Sequence, residues 1–302
     1  MTSQYWDEKL AERYRAYRYE FGSRTLAGKT VVVAGGSGGL GAATVALLAA
    51  EGVHVVAGYR ANRERAEALA RTMKEQFGAE IKLVEGDIGE AVTRRTYLDA
   101  VAAVEDESSS HPFENRKGGA PGSAGGFETR PYKLSAPAAA AIFPGDPARV
   151  SFEALDREAM LASLEANYVG PVLLAKELGA AMEAGAGGSL VLLATMQAVA
   201  AFSGSLNYGP PKAALVHAAR VLAKQWSRVR VNVVAPGATV AGMAEASVSA
   251  GKYDSFVADG TIPRFGRPED VARAVRFFLE PDNYVTGQVL VVDGGLTLRR
   301  DK

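Results

Sequence analysis

The stretch "KTVVVAGGSGGLGAAT", residues 29–44, decides the fold. Thr30 to Val33 form a short β-branched run, which favours a buried strand. Glycines stop that run, and a pattern of small and apolar residues, "LGAATVALLAAEG", then reads as a helix closed by Gly52. Gly35, Gly39 and Gly41 give a G-x-x-x-G-x-G spacing at the turn between strand and helix. Without side chains the backbone can turn tightly there and approach a ligand closely. The free N–H groups and the dipole of the helix start favour a pyrophosphate. The bland alternative is a tight turn with no ligand.

The same alternation spreads outward. "VHVVAGYR" reads as a second strand and "NRERAEALARTMKEQFG" as a charged amphipathic helix that ends at glycine. "IKLVEGDI" is a third strand. Later come the strand "GGSLVLLAT", a helix from about Tyr208 to Trp226, the strand "VRVNVVAPG", the helix "PEDVARAVRFFLE" and the strand "QVLVVDGG". Strands alternating with helices predict an α/β protein. It is a doubly wound parallel sheet of the Rossmann type, three layers α/β/α, in a single domain over residues 28–302. Before it, Trp6, Leu10, Tyr14, Tyr17 and Phe21 trace one stripe of an amphipathic helix in an extension spanning residues 1–27. That stripe packs on its own domain or contacts another subunit. Residues 105–137, rich in Ser, Gly, Pro and charge, predict a mobile loop or lid.

Composition narrows the function. Of 302 residues, 48% are apolar and 23% charged, and Lys+Arg and Asp+Glu both number 34. No basic excess points to nucleic acid or to an anionic membrane. No apolar run reaches the ~18 residues of a membrane span. There is no cysteine, so no disulfide and no thiolate chemistry. His54, His111 and His217 have no metal-ligand spacing. The N-terminus does not read as a signal peptide. A cytoplasmic enzyme or binding protein is expected.

Two further features carry chemistry. The second strand ends in Tyr59 and Arg60 with no acid. A carboxylate there would repel a 2′-phosphate, whereas Arg60 can pair with one, so NADP(H) is favoured over NAD(H). Asp87, ending the third strand, stands where it could bond an adenine amino group or simply cap a turn. In "NYGPPKAAL", residues 207–215, Tyr208 and Lys212 lie one helical turn apart. A neighbouring cation favours the phenolate, which suits a proton-transfer tyrosine. A chance surface pair is the alternative. Pro210 and Pro211 read as the helix start, where proline is tolerated.

Together these motifs resemble the short-chain dehydrogenase/reductase family, in particular its 3-oxoacyl-thioester reductase-like members. The likeness covers about residues 28–104 and 138–296. It rests on "GGSGGLG", "GDI" (86–88), "LEANYVG" around Asn167, "LLAT" (192–195), "NYGPPKAAL", "VRVNVVAPG" (229–237) and "YVTGQVLVVDGGLT" (284–297). The resemblance implies Tyr208 as general acid in reduction, or base in oxidation. It implies that Lys212 lowers the Tyr208 pKa and holds the nicotinamide ribose. Asn167 would position a water in the proton relay, and Thr195 would offer its hydroxyl to the substrate carbonyl where the family usually has serine. The cofactor would lie along Gly35, Ser37, Gly38, Gly39, Leu40, Gly41, Tyr59, Arg60, Asp87, Ile88, Gly145, Pro236, Gly237 and Thr239, besides Tyr208 and Lys212. A small-molecule ketone or secondary alcohol and a homotetramer or dimer are also implied.

Three departures qualify the likeness. The fourth strand, "APAAAAIF", is weak by β propensity and ends in "IFPG" (142–145) where the family has Asn-Asn-Ala-Gly. The 105–137 stretch is an insertion. After the sixth strand, Ala241 stands where a threonine is common, and Thr239 is the nearest substitute for bonding the nicotinamide amide. The lid, 241–266, looks small, polar and flexible. The rival readings are a nucleotide-binding sensor or scaffold that does not catalyse, and a structural subunit without ligand.

Overall fold

The computed structural model describes residues 24–109, 135–242 and 245–299. The helical stripe expected over 6–21 and most of the expected loop, 110–134, lie outside them. Seven parallel strands form one sheet in the order β3-β2-β1-β4-β5-β6-β7. They are β1 (Thr30–Ala34), β2 (His54–Tyr59), β3 (Ile81–Glu85), β4 (Ala139–Ile142), β5 (Gly188–Leu193), β6 (Val229–Pro236) and β7 (Val289–Val292). The order reverses between β1 and β4, and a crevice opens at that switch point beyond the strand ends.

Each strand but the last is followed by a helical crossover. These are α1 (Gly39–Glu51), α2 (Arg63–Phe77), α3 (Ala91–Ser109), α4 (Arg157–Leu164), α5 (Gly170–Ala184) and α6 (Gly209–Gln225). Short α7 (Glu245–Ser249) and α8 (Asp254–Ala258) precede α9 (Pro268–Leu279). One apolar core joins the sheet to α1, α2 and α9, through Val45, Leu48, Met73, Val275 and Phe278. The other joins it to α3, α5 and α6, through Tyr97, Val101, Leu174, Leu178 and Leu215. The doubly wound, three-layer fold is therefore as expected, and left-handed Gly52 and Gly78 end α1 and α2.

The structure amends three readings. Residues 105–109 continue α3 as helix rather than opening the loop. The polar sequence there suggests a coil, but five more residues extend a helix already nucleated and packed on the sheet. β4 is a full central strand although it is mostly alanine. It pairs with β1 and β5 at once and all four residues are buried, so context outweighs propensity. The lid is not merely polar: Val248, Ile262 and Phe265 bury themselves with Met196, Ala238 and Leu296. Those apolar residues are scattered along the chain and meet only in space.

At the N-terminal edge, Leu26 is fully buried in the first core. Its N–H donates to Glu51, whose carboxylate also accepts from the Arg276 guanidinium through both oxygens. This clip ties the residues before β1 to α1 and α9.

Candidate active site

The crevice at the switch point is a cleft of about 810 Å³, within the usual range for a ligand site. One wall is the turn from β1 to α1. Gly35 sits at φ +75°, which L side chains rarely adopt, and a Cβ on Gly41 would fall 2.2 Å from the Gly35 carbonyl oxygen. Gly38 stands before α1, and no side chain caps that helix. Its first-turn N–H groups thus face an anion-sized space with the helix dipole behind them. Ser37, Gly38, Gly39, Leu40 and Gly41 all line the cleft, as expected. This cradle fits a dinucleotide pyrophosphate.

The next wall is the ends of β2 and β3, where Tyr59, Arg60, Asp87 and Ile88 line the cleft, again as expected. Arg60 stands 3.7 Å from the Asp87 carboxylate and both remain largely exposed. The other Asp87 oxygen accepts from the Gly89 N–H. β3 also brings Glu85 beside Tyr59, which the linear sequence does not show. Glu85 accepts from the Tyr59 hydroxyl at 3.0 Å and from Arg63 at 2.7 Å. Arg63 holds the Glu85 carboxyl below its ordinary range, so this acid is already neutralised. Arg65, from α2, adds a second basic residue to the lining. The position was missed because one charge on a helix face carries no signal by itself. Buried Arg94 supports the loop from behind. It donates to the Ile88 and Gly89 carbonyls and pairs with Glu177 at 2.7 Å.

The far end of the cleft is closed by Phe143, Pro144, Gly145 and Leu193. Directly behind that wall lies Lys212. Its Nζ donates to the Leu193 carbonyl at 3.0 Å and lies 3.5 Å from the Pro144 carbonyl. A Cβ on Gly145 would fall 2.7 Å from Asn167 Oδ1 and 3.0 Å from Lys212 Nζ, so only glycine lets these two groups approach the wall. Asn167 is fully buried in one turn of π-helix, Glu165–Val169, between α4 and α5. Thr195 follows β5 and is mostly buried, and its Oγ1 accepts weakly from the Gln197 N–H. Tyr208 stands immediately before α6, whose first turn carries Pro210 and Pro211 as expected.

A closed circuit of hydrogen bonds joins these parts. The Asp146 N–H donates to Asn167 Oδ1. Asn167 Nδ2 donates to the Asp146 carbonyl and to Ser163 Oγ. Ser163 donates to the Asn207 carbonyl by a short bond, and Asn207 Nδ2 donates to the Ala148 carbonyl. The Ala148 N–H returns to Asp146 Oδ1. Asp146, Ser163 and Asn207 escaped the sequence reading, although Asp146 follows Gly145 directly and Asn207 precedes Tyr208.

One expectation needs correction. Lys212 does not bring the Tyr208 pKa down here. Burial pushes the phenol up, and the Asp146 carboxylate adds to that. The ammonium is spent on backbone carbonyls, and its own pKa is pulled down to about 8 by burial. Pro236, Gly237 and Thr239 are not among the residues that line the cleft, and neither are Asn167, Thr195, Tyr208 and Lys212. Thr239 is buried and donates to the Gly237 carbonyl. Val240, Ala241 and Gly242 line the cleft.

With this geometry established, comparison with known proteins gives the class. Residues 29–107 match the short chain dehydrogenase family, and residues 137–297 match the family described as enoyl-(acyl carrier protein) reductase. The chain is 30% identical over 280 residues to an uncharacterized oxidoreductase of Methylorubrum extorquens, covering 90% of this chain and 98% of that one. It is 38% identical over 143 residues to human 3-oxoacyl-[acyl-carrier-protein] reductase, a match spanning 47% of this chain and 58% of that one. A short-chain type dehydrogenase/reductase from Mycobacterium ulcerans superposes with a TM-score of 0.74 at 25% identity, covering 91% of each chain. The chain belongs to the short-chain dehydrogenase/reductase family and is an NAD(P)-dependent oxidoreductase of CH–OH and C=O groups. Among the described residues, no helix is long and apolar enough to cross a membrane.

Proposed function

We propose that this chain prefers NADP(H) and interconverts a ketone and a secondary alcohol, with 3-oxoacyl-type and simple carbonyl substrates as the leading class. Tyr208 is the proton donor in reduction and the acceptor in oxidation. The observation that carries the reading is the continuity of the cleft. It runs from the glycine cradle to the Pro144–Gly145 and Leu193 wall, with Lys212 and Asn167 directly behind it. A nicotinamide dinucleotide supplies or accepts the hydride when bound. The chain's residues orient it and handle the proton. The phenol, protonated at neutral pH, donates to the developing alkoxide, and the Thr195 hydroxyl holds the carbonyl oxygen. Asn167 belongs to the interior hydrogen-bond circuit, and Lys212 is held beside the same wall by the Leu193 carbonyl. The NADP(H) preference is supported by Arg60 and Arg65 at the cleft and by the neutralisation of Glu85.

The test is binding and oxidation of NADPH against NADH, across ketones and 3-oxoacyl thioesters, with Tyr208→Phe alongside. NADPH binds tighter, and the variant loses about 10²–10⁴-fold in kcat while retaining nucleotide binding. Equal use of NADH sinks the preference, and an active variant sinks the role of Tyr208.

A second reading is a nucleotide-binding sensor or scaffold without turnover. The sequestered Lys212 and the raised Tyr208 pKa favour it. NADPH binding with no turnover over the panel would select it. A homo-oligomer is supported by the exposed Met160 and Leu161 on α4; a monomer in light scattering refutes it.

A further inference from the structure

Among the described residues, Tyr97 on α3 is the largest fully buried side chain, with 1% of its surface exposed. It belongs to the core cluster that also contains Val56, Val84, Ile88 and Val101. Its hydroxyl occupies the space that a side chain on Gly58 would need. A Cβ there would fall 1.6 Å from the oxygen and 2.6 Å from Cζ. The phenol therefore reaches under β2 to the strand ends, where Tyr97 lines the cleft beside Gly86, Asp87 and Ile88. Among the described residues the hydroxyl has no hydrogen-bond partner, and burial alone perturbs its titration, upward. The hydroxyl is not among the fully buried atoms that lack a partner, so it opens on the cleft that Tyr97 lines, where a ligand can meet it.

We propose that the Tyr97 hydroxyl is a recognition group for the adenosine end of the dinucleotide, donating a hydrogen bond to a ring nitrogen of the adenine. This rests on the dinucleotide reading of the cleft. A phenol that stays protonated at neutral pH is a donor, and adenine presents acceptor nitrogens on every edge. Asp87, on the same wall, supplies the complementary acceptor for the amino group. Such a donor–acceptor pair reads a base where phosphate contacts only anchor it. Tyr97 is a binding residue remote from the hydride, so it acts on affinity and not on the chemical step.

Titration calorimetry on the full chain separates the possibilities. The probes are NADPH, 2′,5′-ADP (the adenosine half) and reduced nicotinamide mononucleotide (the other half). Tyr97→Phe should bind NADPH and 2′,5′-ADP about three- to tenfold more weakly, the loss of one neutral hydrogen bond. It should bind the mononucleotide as the wild type does. Its ligand-free melting temperature should stay close to that of the wild type, because the hydroxyl makes no hydrogen bond to the described residues. Gly58→Ala, which presses a methyl group onto the hydroxyl, should weaken the same two ligands and spare the third. Unchanged affinity of Tyr97→Phe for 2′,5′-ADP overturns the proposal and leaves the dinucleotide reading standing. Failure of the wild type to bind either adenosine ligand overturns both.

Discussion

Lys212 shows how much one residue's surroundings alter its chemistry. Its ordinary pKa is 10.5, and burial brings it to about 8. The folded state thus sheds this proton first, and the unfolded state binds more protons between about pH 8 and 10.5. Stability must rise with pH across that window. Lys212→Met removes the dependence, at the cost of turnover. Chemical denaturation at several pH values checks this; a flat wild-type profile refutes it. The Tyr208 phenol is shifted the opposite way. It stays protonated through neutral pH, so reduction is favoured there, and the oxidation rate should climb with pH into the alkaline range. The spacing of Tyr208 and Lys212 was legible in the sequence. The direction of both shifts was not, because it depends on burial and on Asp146, which arrives from the β4 loop.

At the scale of elements, the loop after β4 is the informative piece. "IFPG" lacks the asparagines the family uses there. The structure shows a hydrogen-bonded set in which Asp146, Asn167, Ser163, Asn207 and Ala148 join that loop, α4 and the start of α6. Ser163→Ala leaves the buried Asn207 carbonyl without its donor. It should cost about 1–3 kcal/mol and lower Tm by several degrees. Because Asn207 precedes Tyr208, kcat should fall more than KM changes. Melting curves and steady-state kinetics check this together. A stability loss with kcat intact would make the circuit purely structural. Neither Ser163 nor Asn207 could be found from periodicity, since each lies on its own element and they meet only through the crossover.

At the scale of the whole molecule, the clip of Glu51, Arg276 and Leu26 joins segments 225 residues apart. Glu51 has no exposed surface, and such a carboxylate is tolerated only because it is fully paired. Glu51→Gln removes the buried charge and leaves Glu280 as the remaining carboxylate partner of Arg276. It should cost roughly 3 kcal/mol and lower Tm by about 6–12 °C without altering NADPH affinity. Thermal melting with a binding titration checks both parts. A change in affinity would mean that the clip reaches the cleft through α1.

The sequence by itself determined the strand–helix alternation, the glycine cradle and the register of Tyr208 with Lys212. These are local properties, set by residue type at spacings of two, three and four. The tertiary structure alone decided that β4 is a strand despite its alanines. It also decided that Glu85 is neutralised beside Tyr59 and that Tyr97 lines the cleft. Each of these follows from which segments a parallel sheet brings side by side, and burial at that meeting sets charge, partner and direction.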